Sequence, residues 1–433
     1  MLVLELIIVL LAIFLGAKIG GIGAGFAGGL GVLVLAIVGV KPGKIPFDVI
    51  SIIMAVIIAI STMQIAGGMD YLVKKTEKML RNNPKHITII APIVTYFITI
   101  FTGTGNICLS ALPVISAVAK KQDIKPCRPL STSVIAAQIA ITASPVSAAV
   151  VYMSFLMEDQ GITYIRLLMV MIPSTFMAVL TMSVIISICF NSKLSDDPIY
   201  RKRLCTGLIK ADSEQKIFLK HYAKSSLWLF ILGILCVVSY SIINSSIIGL
   251  VEVPIMNTTN SILSIMLSVA AITTILCRIK TDHILNSSIF KTGMNACICI
   301  LGLAWLGDTF VQANLQWITK TTSNVVQEYP WLMIVIFFFA STLLYSQAAT
   351  VKALMPIAIA LNISNLIAVA SFAAVSGLFI LPTYPTLIAA VKIDETGTTS
   401  IGRCMFNHTF LIPGAIGITL SIIFSVLLGK IIL

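Results

Sequence analysis

Charged side chains are scarce in this sequence. Asp, Glu, Lys and Arg together make up 11% of the 433 residues, whereas hydrophobic residues make up 58%. A soluble domain carries about a quarter charged residues, because its surface must face water. A chain with less than half that share cannot cover a water-facing surface, which excludes a soluble globular protein. We therefore expect most of the outer surface to face a lipid bilayer.

Clusters of metal-binding or nucleophilic residues are also absent. The chain has four histidines, and its nine cysteines are scattered, mostly in apolar segments where a free thiol behaves as a small hydrophobic group. The only close pair, Cys297 and Cys299, lacks the CxxC spacing and the neighbouring histidines of a metal site. The sequence therefore predicts no metal and no cofactor. It also lacks the nucleophile and base that an intramembrane enzyme would need, so we expect no enzymatic activity.

The net charge of +12 comes from 29 Lys and Arg against 17 Asp and Glu. In a soluble protein such an excess would suggest nucleic acid as a partner. Here the cations lie almost wholly in short connectors between apolar runs, which is typical of loops retained on the cytoplasmic side of a membrane. Nucleic acid is therefore not an expected partner.

Long apolar runs extend along the whole chain, and most have the length of about 20 residues that a helix needs to cross a bilayer. The first run contains Glu5 and opens without Lys or Arg, so we interpret it as a retained membrane helix and not as a signal peptide. The runs cover residues 2–17, 22–40, 46–68, 129–156, 164–190, 226–247, 260–278, 289–307, 366–393 and 405–430.

Two further apolar regions are interrupted in the middle by polar and glycine residues. Region 87–119 is interrupted at 102–106, and region 331–361 at 346–350. At 1.5 Å per residue, the helical arm on either side of each interruption reaches about 20 Å, which is short of a hydrocarbon core of roughly 30 Å. We expect each region to form a re-entrant hairpin whose polar tip is surrounded by protein or water. The alternative is four short, tilted membrane-spanning helices.

The distribution of cations predicts the orientation. With the N-terminus outside, 23 of the 29 Lys and Arg lie in the inner connectors, five lie in the outer connectors, and Lys352 remains within the membrane. The opposite orientation would reverse this bias, so both termini are predicted to be periplasmic in a multi-pass protein of the bacterial inner membrane. The inner connectors are then 17–21, 69–86, 120–128, 191–225, 278–291 and 392–403.

This orientation makes the two halves of the chain inverted repeats. Residues 1–190 form an N-terminal repeat with a cytoplasm-side hairpin, and residues 226–433 form a C-terminal repeat with a periplasm-side hairpin. A solvated cytoplasmic linker, 191–225, joins them. Each half reads as three helices, a hairpin, a helix broken at a proline and a final helix. The predicted fold is an all-α polytopic membrane protein with about ten transmembrane helices and two re-entrant hairpins in two inverted-topology repeats, an arrangement typical of secondary transporters.

The hairpin tips and the proline breaks are the candidate substrate site. New helices are expected to start after Asn106, Pro145, Ala349 and Pro385, and a helix start presents unpaired N–H groups and a positive dipole end that bind anions. Ser, Thr and Gly here could instead serve close helix packing. The candidate substrate-binding residues are Thr104, Gly105, Asn106, Ser144, Pro145, Ser346, Gln347, Thr350, Lys352, Thr383, Tyr384 and Pro385.

Lys352 lies two residues beyond the second tip and is a functional candidate, because an ionisable group within a membrane is costly unless it is paired or hydrated. It could neutralise one carboxylate of a substrate. The alternatives are that it reaches an aqueous cavity or pairs with Asp308. Asp70 and Asp308 are expected at helix ends, where they would cap the helix or form a local pair.

Three other polar features have less specific interpretations. Residues 69–84 form a basic amphipathic segment expected along the inner membrane surface, and Glu77 and Arg81 within it are spaced to form an i,i+4 pair. The segment from Asp394 to Arg403 is either a loop with a helix cap or an entry site for anions at Arg403. His408 is interpreted as an interfacial histidine and not as a proton relay.

Several segments resemble a known family. GTGN, ITASPVSAAVVYMS, LLYSQAATVKALMP, LFILPTYPT and DETGTTSIGR are similar to the anaerobic C4-dicarboxylate transporters of the Dcu family, most closely its A type, and so is FNSKLSDDPIYRKRL in the central linker. The resemblance covers essentially the whole chain. It implies a protein that exchanges aspartate, fumarate, malate and succinate across the inner membrane, chiefly in anaerobic growth.

The resemblance extends to a larger group of ion transporters whose paired hairpins hold carboxylate substrates. That group commonly carries Ser-Asn-Thr at the tips, where this chain has Thr104-Gly105-Asn106 and Ser346-Gln347-Ala348. Few acidic residues lie near the tips, so no dedicated sodium site is expected.

The predicted function is exchange of small dicarboxylates by alternating access. The alternative is an ion-coupled carboxylate symporter, driven by Na⁺ or H⁺, or a cation/proton antiporter of the same architecture. A homo-oligomer is compatible with the sequence, which specifies neither the oligomeric state nor the ranking of the substrates.

Overall fold

The computed structural model describes residues 2–19, 22–45, 47–190, 192–206, 220–243, 255–256, 258–344, 346–380, 384–401 and 407–433. Within these residues the regular secondary structure is helical, which confirms the all-α class. The helices are α1 Leu2–Ile19, α2 Gly23–Ile37, α3 Phe47–Ile65, α4 Gly68–Asn82, α5 Ile87–Thr102, α6 Leu112–Lys121, α7 Cys127–Ala140, α8 Ala148–Glu158, α9 Tyr164–Cys189, α10 Pro198–Cys205, α11 Ala223–Ile243, α12 Thr258–Leu276, α13 Thr281–Leu285, α14 Ser288–Glu328, α15 Leu332–Leu344, α16 Gln347–Ala360, α17 Asn365–Ala374, α18 Pro385–Ile393 and α19 Leu411–Ile432. Short 3₁₀ helices cover Pro84–His86, Gly105–Ser110, Ile141–Ala143 and Gly377–Phe379.

The helices have the length and surface of a polytopic membrane protein. Among the described residues, six helical segments are long and apolar enough to cross a bilayer, and a seventh is added if the bent pair α3–α4 counts as one span. Further apolar helices of 10–17 residues include α2, α15 and α16. Large apolar side chains such as Phe14 and Ile431 are exposed on the outside, where lipid is the matching environment.

Both interrupted regions form helix pairs joined at a polar tip. In the first, α5 and α6 are joined by residues 103–111; in the second, α15 and α16 are joined at Ser346. The two arms of each hairpin contact each other. The arms of the second hairpin have 13 and 14 residues, or about 20 Å of helix, which is short of a full span. The first arm of the first hairpin differs from the expectation, because Pro84–Thr102 is one of the six segments long and apolar enough to cross a bilayer.

Several boundaries differ from the sequence expectation; one is the start of α16, which lies at Gln347 and not after Ala349. Helix α6 does not start directly after Asn106, because a 3₁₀ helix intervenes, and α8 starts at Ala148, where the Ser147 side chain accepts the N–H of Val150. Asp308 lies within α14 and not at a helix end. Its carboxylate accepts the backbone N–H of Lys44, so the connector before α3 satisfies this polar group and the helix continues past it.

Equivalent helices pack in equivalent pairs in the two halves. The contact of α1 with α2 corresponds to that of α11 with α12, and the contact of α2 with α14 corresponds to that of α12 with α3. Likewise α5 packs on α7 as α15 packs on α17, and the final helices α9 and α19 pack on each other. Pairing of this kind is what two repeats related by an approximate two-fold axis produce. The repeat bounds 1–190 and 226–433 and the side on which each terminus lies stay predictions.

The amphipathic segment after α3 forms α4, which turns away from α3 by 68°. Met69, Val73 and Leu80 are buried on one face of α4, and Asp70 is exposed in its first turn. The predicted pair is confirmed, because Arg81 lies 2.8 Å from the Glu77 carboxylate. An exposed pair of this kind contributes only about 0.3–0.5 kcal/mol, so the buried apolar face is the main attachment of α4.

The first part of the central linker is docked and not merely solvated. This part covers residues 192–206. Lys125 lies 2.8 Å from the carboxylate of Asp197, and the carboxylate of Asp123 accepts the N–H and the hydroxyl of Ser195. Burial alone would raise the pKa of the Asp197 carboxyl, but hydrogen bonds from Lys125 and from two backbone N–H groups outweigh it and hold that pKa below its usual range. At the C-terminal end of this part of the linker, Arg203 donates to the carbonyl oxygen of Glu395.

Candidate functional site

The tips of both hairpins and the breaks of both interrupted helices meet at one cavity of about 600 Å³. The polar part of its lining comes mainly from the tips, and the apolar part from α3 and from the start of α8. The lining residues are Ile53, Val56, Ile57, Ile60, Gln64, Thr102, Gly103, Thr104, Gly105, Leu109, Ile141, Val146, Ala148, Ala149, Ile289, Gly293, Ser346, Gln347, Ala348, Tyr384 and Pro385.

Helix N-termini from both halves end at this cavity. The first N–H groups of a helix have no partner within the helix. In α16, the Ser346 side chain accepts the N–H of Ala349, which leaves those of Gln347 and Ala348 at the cavity wall. In α8, Ser147 caps the helix in the same way, and Ala148 and Ala149 line the cavity.

Helix α18 also starts at the cavity, with Tyr384 as its N-cap residue and Pro385 in its first turn. The positive ends of three helix dipoles therefore converge on one cavity. Backbone N–H groups together with aligned dipoles form a natural anion site. The described lining contains no acidic side chain that would oppose a negative charge.

The neutral side chains in the lining can orient an anion. Gln347 is buried, and its side-chain amide donates to the backbone carbonyl of Gln138 over 3.2 Å. This bond joins the tip of the second hairpin to the broken helix of the other half. Thr104, Ser346 and Tyr384 add hydroxyl groups around the same space.

Six of the twelve predicted site residues line the cavity. They are Thr104, Gly105, Ser346, Gln347, Tyr384 and Pro385. For Asn106 the structure places only the backbone, in the 3₁₀ helix Gly105–Ser110, and Thr383 lies outside the described residues.

Three predicted residues do not line the cavity and make hydrogen bonds to other groups of the protein. The Ser144 hydroxyl donates to the carbonyl of Ile100 over 2.6 Å and thereby ties the first break to the first hairpin. The carbonyl of Pro145 accepts the hydroxyl of Tyr164, and Thr350 donates back to the carbonyl of Ser346. In this structure these groups shape the breaks and tips instead of contacting the cavity.

Lys352 is buried behind the cavity wall. Its side chain is 2% exposed, and its ammonium lies 5.7 Å from the centre of the Tyr152 ring. Among the described residues it has no hydrogen-bond partner. It does not form the ion pair with Asp308 that was one alternative, since the carboxylate of Asp308 accepts the N–H of Lys44 instead.

One side of the cavity was not predicted as part of the site. Helix α3 contributes Ile53, Val56, Ile57, Ile60 and Gln64, which lie on one face of a helix with i, i+3, i+4 spacing. Helix α14 adds Ile289 and Gly293. Gln64 carried a usable signal, because an amide inside an apolar run is costly in a membrane unless it faces protein or water.

The loop after α18 has a structural role in the described part of the chain. Asp394 is buried, and its carboxylate accepts hydrogen bonds from Thr396, Thr398 and the backbone N–H of Thr399. This satisfied carboxylate shapes the loop and is not available to a ligand. Arg403 lies outside the described residues, so an anion entry site there stays a prediction.

The chain matches one protein family over residues 1–433, described as "Anaerobic c4-dicarboxylate membrane transporter". It is 70% identical to the C4-dicarboxylate transporter DcuA of Escherichia coli K12 over 99% of both chains, and 51% identical to DcuA of Wolinella succinogenes over 100% of both. It is 35% identical to the anaerobic C4-dicarboxylate transporter DcuB of Escherichia coli O6:H1, covering 98% of this chain and 97% of the relative.

The fold is similar to the crystal structure of the Alcanivorax borkumensis YdaH transporter, which is described as having an unusual topology. The TM-score is 0.53 at 13% identity, and the match covers 88% of this chain and 84% of the other. At that identity the likeness concerns the fold alone. The sequence matches extend over the full length of the chain and of its relatives, and the family consists of membrane transporters and not of enzymes. The chain therefore belongs to the DcuA/DcuB family of anaerobic C4-dicarboxylate membrane transporters.

Proposed function

We propose that this protein exchanges C4-dicarboxylates (aspartate, fumarate, malate and succinate) across the bacterial inner membrane by alternating access. The observation that carries the proposal is a cavity at which helix N-termini from both halves converge. The names of the relatives, C4-dicarboxylate transporters, support the choice of substrate class.

The site suits an anion with a negative group at each end. One carboxylate would lie at the start of α16, near the N–H groups of Gln347 and Ala348, and the other at the start of α8, near those of Ala148 and Ala149. Both ends would then be held by backbone dipoles and neutral hydroxyl or amide groups. Such contacts are selective for charge and geometry, and they are weak enough to allow release on the other side.

The same arrangement suggests which parts move. The hairpins and broken helices, α5–α8 and α15–α18, form a moving unit, and α3 and α14 form the wall against which it slides. The cavity reaches Gln64 near the end of α3 and Ile289 near the start of α14. These ends lie on the predicted cytoplasmic face, so we assign the structure to a state open towards the cytoplasm.

Coupling to a cation is the competing possibility for this architecture. Within the described residues, no group of three or more His, Cys, Asp or Glu side chains could hold a metal ion, and the lining of the cavity is free of carboxylates. The geometry therefore favours exchange. Uptake that depends on external sodium, with no need for an internal dicarboxylate, would favour the symporter instead.

Replacement of Gln347 by alanine tests the site. A hydrogen bond to a charged group contributes about 1.5–3 kcal/mol. We therefore expect the rate of succinate exchange at limiting substrate concentration to fall about 10- to 100-fold. The measurement is counterflow of labelled aspartate and succinate in proteoliposomes loaded with unlabelled dicarboxylate. Gln160→Ala is the matched control, since Gln160 is exposed in the turn after α8. Normal exchange by Gln347→Ala would contradict the proposed site, and uptake into unloaded vesicles at the exchange rate would contradict obligate exchange.

A further inference from the structure

Lys352 lies one helical turn beyond the cavity on the moving unit. In α16, Ala348 lines the cavity and Lys352 follows four residues later; in α8, Ala149 lines the cavity and Tyr152 follows three residues later. One turn is about 5.4 Å along the axis. Both elements therefore place the ammonium of Lys352 and the ring of Tyr152 just behind the anion site, on the side away from the cytoplasmic opening.

The ammonium has no acidic partner in the part of the chain that the structure describes. Its side chain is 2% exposed, its nitrogen makes no hydrogen bond, and the ring of Tyr152 is 5.7 Å away. The nearby thiols of Cys297 and Cys299 on α14 are weak hydrogen-bonding groups. A buried cation without an anion is costly. The carboxylate of Asp308 acts electrostatically on Tyr152 but accepts the N–H of Lys44, and a substrate carboxylate in the cavity would supply a counter-charge for Lys352.

We propose that Lys352 is a fixed positive charge that prevents the empty carrier from crossing between its two states and so makes exchange obligatory. This inference rests on the proposed exchange of dicarboxylates. Lys352 does not line the cavity, so while the cavity is open, water in it lowers the cost of the buried ammonium only through space, by raising the dielectric beside it. When the moving unit passes the wall formed by α3 and α14, that water is excluded, and Lys352 must either keep an uncompensated charge or release its proton, and both cost free energy. A bound dianion supplies the missing charge, so only the loaded carrier crosses readily.

Removal of this charge has opposite effects on the crossing of the empty carrier and on the crossing of the loaded carrier. Without the ammonium the empty carrier crosses more easily, whereas the loaded carrier loses an attraction. Net uptake into vesicles without internal substrate therefore rises while exchange falls. A residue that only contributed to binding or folding would lower both rates together, so the ratio of exchange to net uptake separates the two roles.

The test compares wild type with Lys352→Met and Lys352→Gln in proteoliposomes, with Lys392→Met as the control because Lys392 is exposed at the end of α18. Initial uptake of labelled succinate is measured into succinate-loaded and into unloaded vesicles. We expect the ratio of the two rates to fall at least about tenfold in both neutral variants, through faster uptake into unloaded vesicles, as the penalty for an unpaired buried charge predicts. The control keeps the wild-type ratio.

A second variant tests the same idea with Lys352 in place. Tyr152→Glu puts a carboxylate beside the ammonium on the same moving unit, and we expect it to raise net uptake into unloaded vesicles, whereas the neutral Tyr152→Gln does not. If the Lys352 variants fail to fold, the comparison of Tyr152→Glu with Tyr152→Gln still tests the role of Lys352. An unchanged ratio in folded Lys352→Met or in Tyr152→Glu overturns the role of Lys352 but leaves dicarboxylate exchange standing. Wild type that shows no counterflow of succinate overturns the proposed function itself.

Discussion

Replacement of Ala348 by tryptophan is expected to abolish exchange while the protein still folds. Ala348 lies in the first turn of α16, and its side chain borders the cavity of about 600 Å³. An indole group there occupies the space between the starts of α16 and α8, where we place the substrate. It also covers N–H groups that would bind a carboxylate. We expect counterflow of succinate to fall at least about 100-fold, which corresponds to the loss of about 2.7 kcal/mol or more of substrate binding.

The fold tolerates this change because the cavity offers room for the ring. Overpacking of a filled core costs about 1–3 kcal/mol, whereas a side chain that enters an open cavity displaces mainly water. The check is the elution profile and melting temperature of purified Ala348→Trp in detergent beside its counterflow rate. Ala348→Ser is the control, since it adds one hydroxyl and leaves the space open. A folded Ala348→Trp variant with normal exchange would place the substrate elsewhere.

Replacement of Gly28 by leucine is expected to prevent stable folding, whereas the same change at the adjacent Gly29 is expected to be nearly neutral. A Cβ at Gly28 would overlap the backbone of Gly302 on α14, because α2 and α14 approach backbone to backbone at this crossing. At Gly29 a Cβ meets nothing within 4 Å. Small residues at such crossings allow close helix packing in membranes.

The two glycines form a matched pair, since they share one helix and one substitution. We expect Gly28→Leu to cost about 3 kcal/mol or more, through displacement of α2 from α14, and Gly29→Leu to change stability by about 0.5 kcal/mol or less. The measurement is the yield of monodisperse protein and its melting temperature in detergent. Equal stability of the two variants would show that α2 and α14 do not meet in this way.

Composition and local pattern determine much of the architecture. A chain that is 11% charged leaves lipid as its surroundings, and the polar interruptions near Gly103 and Ser346 mark where a helix cannot continue. Gly103 adopts a positive φ of 68° as the C-cap residue of α5, and Ser346 caps the start of α16. These events depend on the residues within one turn, so a sequence displays them directly.

Boundaries that depend on distant partners were not predictable in this way. The sequence predicts Asp308 at a helix end, as a cap or in a local pair, yet the backbone N–H of Lys44 satisfies its carboxylate and α14 continues past it. Similarly, the linker looked solvated because it is rich in charge, although Asp197 and Arg203 bind groups far away in the chain. The partner that satisfies a polar side chain is fixed only by tertiary packing.

The candidate site likewise has features that follow from local sequence and features that depend on tertiary packing. Local residue patterns are enough to predict a membrane carrier with two polar tips and two proline breaks, because these features follow from local propensity and from the cost of polar groups in lipid. The packing of the helices determines the rest. It brings Gln347 and Gln64 to the cavity and directs the Ser144 hydroxyl to the carbonyl of Ile100. It also leaves Lys352 behind the site without an acidic partner among the described residues. A side chain faces the substrate or a neighbouring backbone according to where helices from the other half of the chain come to lie, and no local pattern specifies that distance.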